Sequence, residues 1–229
     1  MQILALDTAS PAPSVTLLAT GGAVWEETLS PDRRASEELL PAIERCFAAA
    51  GTRLPDCDRI AVCSGPGSFT GLRIGLATAW GLGRAAGVLV ETVPTLEALA
   101  ETARKTSRGE VPQRPAPAPL FPRSSTVAAV LDAGRGEVVL AVYDLEGDRA
   151  RPVSGPERLA IDAARERVAH LHTVALPPDL LVPAVEGVAG VSPSRAIAEA
   201  VSRQPGETLS RLEGIYSRPS AAEEKHGAP

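Results

Sequence analysis

With 229 residues and 44% apolar side chains, the chain has material for one large domain or two smaller lobes around a sizeable core. Its formal charge of −5 excludes a broad basic surface and argues against strong nucleic-acid binding by this chain alone. Three cysteines, Cys46, Cys57 and Cys63, are odd in number and lack CxxC spacing, which argues against a disulfide framework and a zinc site. The chain begins with Met1-Gln2-Ile3-Leu4-Ala5-Leu6-Asp7, which has no basic start and meets an acid too early for a signal peptide. Residues 3–6 read instead as a short buried strand ending at Asp7. Residues 14–19 and 23–29 read as two more strands joined by a turn at Gly21-Gly22. A helix is predicted from an N-cap at Ser36 to Ala50, with Glu37 and Glu38 in its first turn and Gly51 beyond its end. Residues 59–63 form the next predicted strand.

The next segment, Ser64-Gly65-Pro66-Gly67-Ser68-Phe69-Thr70-Gly71-Leu72-Arg73-Ile74-Gly75, opens as a glycine turn and continues as a helix to about Gly83. The uncharged stretch 74–83 is far shorter than the ~20 residues of a membrane span, so a soluble cytoplasmic protein is expected. A strand over 88–93 and a helix over 95–104 capped by Thr95 follow. Five of the twelve residues 111–122 are proline, which removes the backbone donors of helix or sheet and predicts an extended connection. Beyond it the opening layout recurs. Residues 127–143 read as a strand ending in Asp132, a tight turn, and a second strand, matching 3–7, 9–12 and 14–19. Two copies of strand–Asp–turn–strand suggest a duplicated lobe. Residues 196–203 are predicted to be helical.

The glycine turn sits where backbone N–H groups and a helix dipole suit an anion. It lacks the Gly-Lys-Ser/Thr of a P-loop, and Thr70 stands where a dinucleotide fingerprint needs its third glycine. Glu91 mimics the ribose-binding acid of such folds; a plain strand-to-helix turn is the competing reading. In the helix behind it, Gly71, Gly75, Thr78, Ala79 and Leu82 share one face, and Leu72, Leu76 and Trp80 share the other. Each helical glycine costs roughly 1 kcal/mol against alanine, so close approach of another element is implied. The helix 36–50 also carries two apolar rows, Leu40, Ile43, Phe47 and Ala50 beside Leu39, Ala42, Cys46 and Ala49. Two neighbouring helices, each apolar on two sides, fit either a third core layer or a protein partner. Asp7 and Asp132 are chemically able to hold a nucleotide-bound metal or to cap their own turns. His170, His172 and His226 offer no helical metal pair, and no Gly-x-Ser-x-Gly nucleophile context is present.

The opening Ile3–Ala9 run, the Ser36-Glu37-x-Leu39-Leu40-Pro41 helix start and the Gly65–Gly75 run together resemble the bacterial TsaB (YeaZ) family of tRNA threonylcarbamoyladenosine biosynthesis proteins. Asp132-Ala-Gly-Arg135-Gly136-Glu137-Val138 and Tyr216-Ser-Arg218 extend the resemblance, which is strong over 1–104, moderate over 127–143 and faint beyond. The resemblance implies an α/β, actin-like (ASKHA) fold of two ribonuclease H-like lobes, expected at 1–106 and 107–206, with the tail 207–229 packing back on the first. It implies a non-catalytic subunit that pairs with the catalytic paralogue TsaD, joins the ATPase TsaE, and meets tRNA through the complex. The two helices form the family's docking bundle, which a homodimer can imitate. The expected docking residues are therefore Leu40, Ile43, Phe47, Gly71, Gly75, Thr78, Ala79 and Leu82. No cofactor is implied for the isolated chain, with ATP or ADP entering only within the complex. The rival readings are a nucleotide-dependent transferase or kinase using Asp7 and Asp132, and a metallo-glycoprotease. Two departures from the family pattern are Ala35 in place of its usual histidine and the proline-rich 111–122.

Overall fold

Strand segments such as 3–6 and 60–63 are unbroken apolar runs, and a sheet covered on both faces buries both alternate sets of their side chains. The computed structural model describes residues 1–30, 34–107, 126–176, 192–203 and 205–208. The first sheet contains β1 (Ile3–Asp7), β2 (Ser14–Leu18), β3 (Val24–Thr28), β4 (Arg59–Cys63), β5 (Leu89–Val93) and, far along the chain, β10 (Glu207–Thr208). Its order is β10-β5-β4-β1-β2-β3. The first three strands form an antiparallel meander, while β4 and β5 run parallel to β1. The parallel crossovers carry helices α1 (Ala35–Ala50) and α2 (Phe69–Ala86).

Leu4, Leu6, Val15, Leu17, Ile60, Val62 and Val90 point to one face and pack under α1 and α2. Ile3, Ala5, Ala61, Cys63 and Val93 point to the other, where they meet α3 (Thr95–Ser107) and α5 (Pro193–Arg203) through Ala98, Ile197 and Val201. Helix α5 falls within the stretch 107–206, yet it packs against β1, β2 and β4 of the first sheet.

The second sheet has order β8-β7-β6-β9, from β6 (Thr126–Gly134), β7 (Glu137–Asp144), β8 (Arg151–Ala160) and β9 (His172–Leu176). Its β6, β7, β8 meander with parallel β9 repeats the β1, β2, β3, β4 arrangement. Val127, Ala129, Leu131, Val139 and Ala141 pack on Leu96, Leu99, Ala100 and Ala103 of α3. The opposite face meets α4 (Ile161–Val168) through Ala164 and Val168. The layers are thus α1/α2, first sheet, α3/α5, second sheet, α4. Helix α3 is buried from Thr95 to Arg104 because both cores claim it.

The cap of α1 differs from expectation: Arg34 occupies the N-cap without a side-chain hydrogen bond, and Ser36 lies inside the first turn. Helix α2 is capped by Ser68, whose hydroxyl accepts from the Gly71 N–H at 3.1 Å. The β6–β7 hairpin turns through Gly134, Arg135 and Gly136, all at positive φ. The proline-rich 111–122 and the 216–218 motif lie outside the described residues.

Candidate functional site

The glycine turn is built against the β1–β2 hairpin rather than toward a ligand. Ser68 N–H donates to the Ala9 carbonyl at 2.9 Å, and Thr95 N–H donates to the Gly65 carbonyl at 2.8 Å. A Cβ at Gly71 would fall within the envelope of the Thr8 carbonyl oxygen, and one at Gly75 within that of the Thr8 hydroxyl. That hydroxyl donates to the Gly71 carbonyl at 2.7 Å. The amides of Ser68 and Gly71, which an anion at this turn would need, are engaged by the chain itself.

The docking residues expected from the sequence therefore divide. Ile43, Phe47, Gly71, Gly75 and Ala79 are buried in the chain's own core, Thr78 and Leu82 are half-buried, and Leu40 is 51% exposed. The burial of five of them has a physical reason. The glycine face of α2 is small because α2 lies directly on Thr8 and Val62, so the close approach is internal. The two apolar rows of α1 are one wide stripe, Leu39, Ala42, Ile43, Cys46 and Phe47, turned to the sheet.

What faces outward on α2 is Arg73, Ala77, Gly81, Arg84 and Ala85, flanked by half-buried Ile74 and Thr78. On α1 it is Leu40, Pro41, Glu44 and Ala48. A Cβ at Gly81 meets nothing within 4 Å. Between Arg73 and Arg84, the exposed Ala77, Gly81 and Ala85 leave the middle of the α2 strip free of large side chains. Sequence reasoning missed it because small residues recur on more than one side of α2, Gly71, Gly75 and Ala79 on one and Ala77, Gly81 and Ala85 on another, and their spacing alone does not say which side is covered. Helix α2 carries no acid, and its guanidiniums lie over rings one turn back, Arg73 over Phe69 at 5.5 Å and Arg84 over Trp80 at 6.0 Å.

Asp7 is fully buried. Its carboxylate accepts from Ala9 N–H at 2.9 Å, from Ser10 N–H at 3.2 Å and from the Ser10 hydroxyl. Burial raises its pKa above the ordinary carboxylate value despite these donors. Asp132 is exposed on the other sheet and accepts from Gly134 N–H at 2.7 Å. Each aspartate caps its own turn. Glu91, the mimic of a ribose-binding acid, pairs with Arg59 and accepts from Gly206 N–H at 2.9 Å. All three cysteines are buried and free; burial pushes Cys46 up to about 11 and Cys63 well above the usual thiol range. Among the described residues no three His, Cys, Asp or Glu side chains gather to hold a metal ion, and no helix is long and apolar enough to cross a membrane.

Two copies of a three-stranded meander with a fourth, parallel strand, one per lobe, define the class: an actin-like (ASKHA) protein built from two ribonuclease H-like lobes. Residues 19–169 match the family model described as "TsaD: tRNA N6-adenosine threonylcarbamoyltransferase". The chain belongs to this family, on its TsaB/YeaZ branch. It is similar to the tRNA threonylcarbamoyladenosine biosynthesis protein TsaB of Escherichia coli K12, 33% identical over 163 residues, covering 69% of this chain and 64% of that relative. The Haemophilus influenzae TsaB is 36% identical over 110 residues, 48% of this chain and 46% of the relative. The chain thus spans less than two thirds of the length of these curated relatives. Among solved structures, YeaZ from Pseudomonas aeruginosa superposes with a TM-score of 0.69 at 26% identity, covering 94% of this chain and 99% of that one.

Proposed function

We propose that this chain is a non-catalytic, cytoplasmic subunit of the machinery that places threonylcarbamoyl on N6 of adenosine in tRNA. It pairs with a TsaD-type catalytic subunit, and a TsaE-type ATPase and tRNA join through that pair. Nucleotide enters only with the assembled complex. The observation that carries the reading is the smooth outer strip of α1 and α2. Leu40, Ala48, Ala77, Gly81 and Ala85 are presented to solvent while the chemically able groups, Asp7 and Glu91, are engaged inside. The relatives named as threonylcarbamoyladenosine biosynthesis proteins TsaB support the pathway.

A second reading, that this chain itself is a transferase, is favoured by the description of the family model it matches. One reconstitution separates the two. Threonylcarbamoyl incorporation into tRNA is measured with a TsaD-type subunit, a TsaE-type ATPase and a source of the activated group, with and without this chain, and with Gly81→Arg. Arginine at Gly75 would enter the core, whereas at Gly81 it reaches open space. The expected result is modification that requires this chain together with the TsaD-type subunit, and a folded Gly81→Arg protein that neither co-purifies nor supports it. Full modification without this chain, or modification by this chain without a TsaD-type subunit, overturns the accessory reading, and undiminished pairing of Gly81→Arg overturns the assignment of the α2 strip as its docking face.

A further inference from the structure

Three acids lie in a nearly water-free zone where the lobes meet, an expensive place for charge without a structural return. On α3, Glu97 is 8% and Glu101 0% exposed; on β5, Glu91 is 1% exposed. Each holds a guanidinium or a backbone N–H from a distant part of the chain. Glu101 accepts from Arg104 Nε at 2.7 Å and from the Ala150 N–H, and its other neighbour is Arg203 Nη2 at 3.6 Å. Glu97 pairs with Arg149. Arg149 and Ala150 belong to the β7–β8 turn of the second lobe, while Arg203 ends α5 on the first.

The same two arginines also reach across to backbone. Arg149 Nη1 donates to the Pro205 carbonyl at 3.0 Å, and Arg203 Nε donates to the Asp148 carbonyl at 3.1 Å. Just beyond, Gly206 N–H donates to Glu91, and Glu207 and Thr208 pair with Thr92 and Glu91 at the edge of the first sheet. A Cβ at Gly206 would press on the Thr92 carbonyl at 2.8 Å, so the segment lies flat on β5. The short run after α5 is therefore fastened at one end to the first sheet and at the other to the turn of the second.

We infer that Arg203 together with residues 205–208 forms a strap that holds the two lobes at one fixed angle, with Glu97 and Glu101 of α3 as its anchor. Carboxylate–guanidinium hydrogen bonds are directional and strong when shielded from water. Glu97 holds Arg149 of the second lobe in such a bond, while Arg203 of the first meets Glu101 as an ion pair at 3.6 Å and donates to the Asp148 carbonyl; contacts crossing from both sides resist both twisting and opening. The strap is independent of what docks on α1 and α2.

The test uses the full chain carrying Arg149→Ala and Arg203→Ala together, with Arg165→Ala, an exposed pair with Asp162 within the second lobe, as control. Amide hydrogen exchange is followed in peptides from the β7–β8 turn and from β1, β2 and β4, and small-angle scattering reports the radius of gyration. In the double variant the turn is expected to exchange about tenfold faster, as for loss of a charge-assisted hydrogen bond. The first-sheet peptides keep their rates, the radius of gyration rises, and the control matches the parent. An unchanged turn overturns the strap, as does a faster turn with an unchanged radius of gyration, because the lobe angle then does not depend on it. If the double variant does not fold, Arg203→Met is measured the same way. There a faster turn with a larger radius supports the strap, and parent-like values overturn it.

Discussion

Replacing Gly71 and Gly81 by alanine, one at a time, separates the two sides of α2. Both are helical glycines, so propensity alone predicts that each substitution stabilises by about 1 kcal/mol. At Gly81 nothing opposes the new methyl. A gain of about 1 kcal/mol corresponds to a rise in Tm of roughly 2–4 °C for a chain of this size. At Gly71 the methyl meets the Thr8 carbonyl, a backbone atom that no rotamer change can move aside. Overpacking of this kind costs about 1–3 kcal/mol. Pushing α2 away also lengthens the buried hydrogen bond from the Thr8 hydroxyl to the Gly71 carbonyl, and an unsatisfied buried donor costs about 1–3 kcal/mol more. After subtracting the propensity gain, Gly71→Ala is expected to destabilise by about 3 kcal/mol, with a fall in Tm of roughly 6–12 °C. Urea and thermal unfolding followed by far-ultraviolet circular dichroism measure both. Equal effects at the two positions, or a stabilised Gly71→Ala, would refute the assignment of the inner and outer faces of α2.

Asp7→Asn keeps shape and acceptor but removes the buried charge. Because burial raises the folded-state pKa of Asp7 above 3.8, its contribution to stability is fully present below that pH and is lost as pH rises through the folded value. Urea unfolding from about pH 4 to 8 should therefore show the variant gaining on the parent toward neutral pH; a constant gap would contradict the charge-burial account. In the native protein at about pH 8, Cys46, with its pKa near 11, holds a thiolate fraction roughly two orders of magnitude below that of a free cysteine. Mass spectrometry after iodoacetamide treatment should find Cys46, Cys57 and Cys63 unmodified until denaturant is added, and rapid labelling of the folded chain would show that the cores open. Arg73→Glu combined with Arg84→Glu reverses the charge of the α2 surface without touching the core. Pairing with a TsaD-type subunit should weaken and its salt dependence should change; identical binding across a salt series would remove these arginines from the interface.

The first lobe was legible because its central strands are short apolar runs, residues 3–6 and 60–63, and its turns carry Gly21-Gly22, Gly51 and Gly65-Pro66-Gly67. The second was legible only as far as the hairpin through Asp132. Strand β8 holds Pro152, Gly155 and Pro156, residues that read as loop, and its pairing with β7 is supplied by the neighbouring strand rather than by its own propensity. The burial of the expected docking residues was illegible for a different reason: periodicity tells which residues share a side of α2, not what lies opposite, and here the sheet took the glycine side. The junction acids left a trace in the sequence, Glu97, Glu101 and Arg104 at i, i+4 and i+7 of one helix. Their partners across the junction, Arg149, Ala150 and Arg203, come from 49 or more residues away, beyond the reach of any local pattern.

Strand β8 lies at the outer edge of the second sheet, and its two prolines leave gaps in the row of donors that a further strand would need. At the outer edge of the first, β3 places Glu26 and Glu27 side by side along the strand. A neighbouring molecule arriving at either margin would meet missing hydrogen bonds or charged side chains, Glu26 exposed on one face and Glu27 paired with Arg45 on the other. Association by sheet extension is discouraged at both, which channels encounters toward helical surfaces and protects the chain from the stacking that leads to fibres.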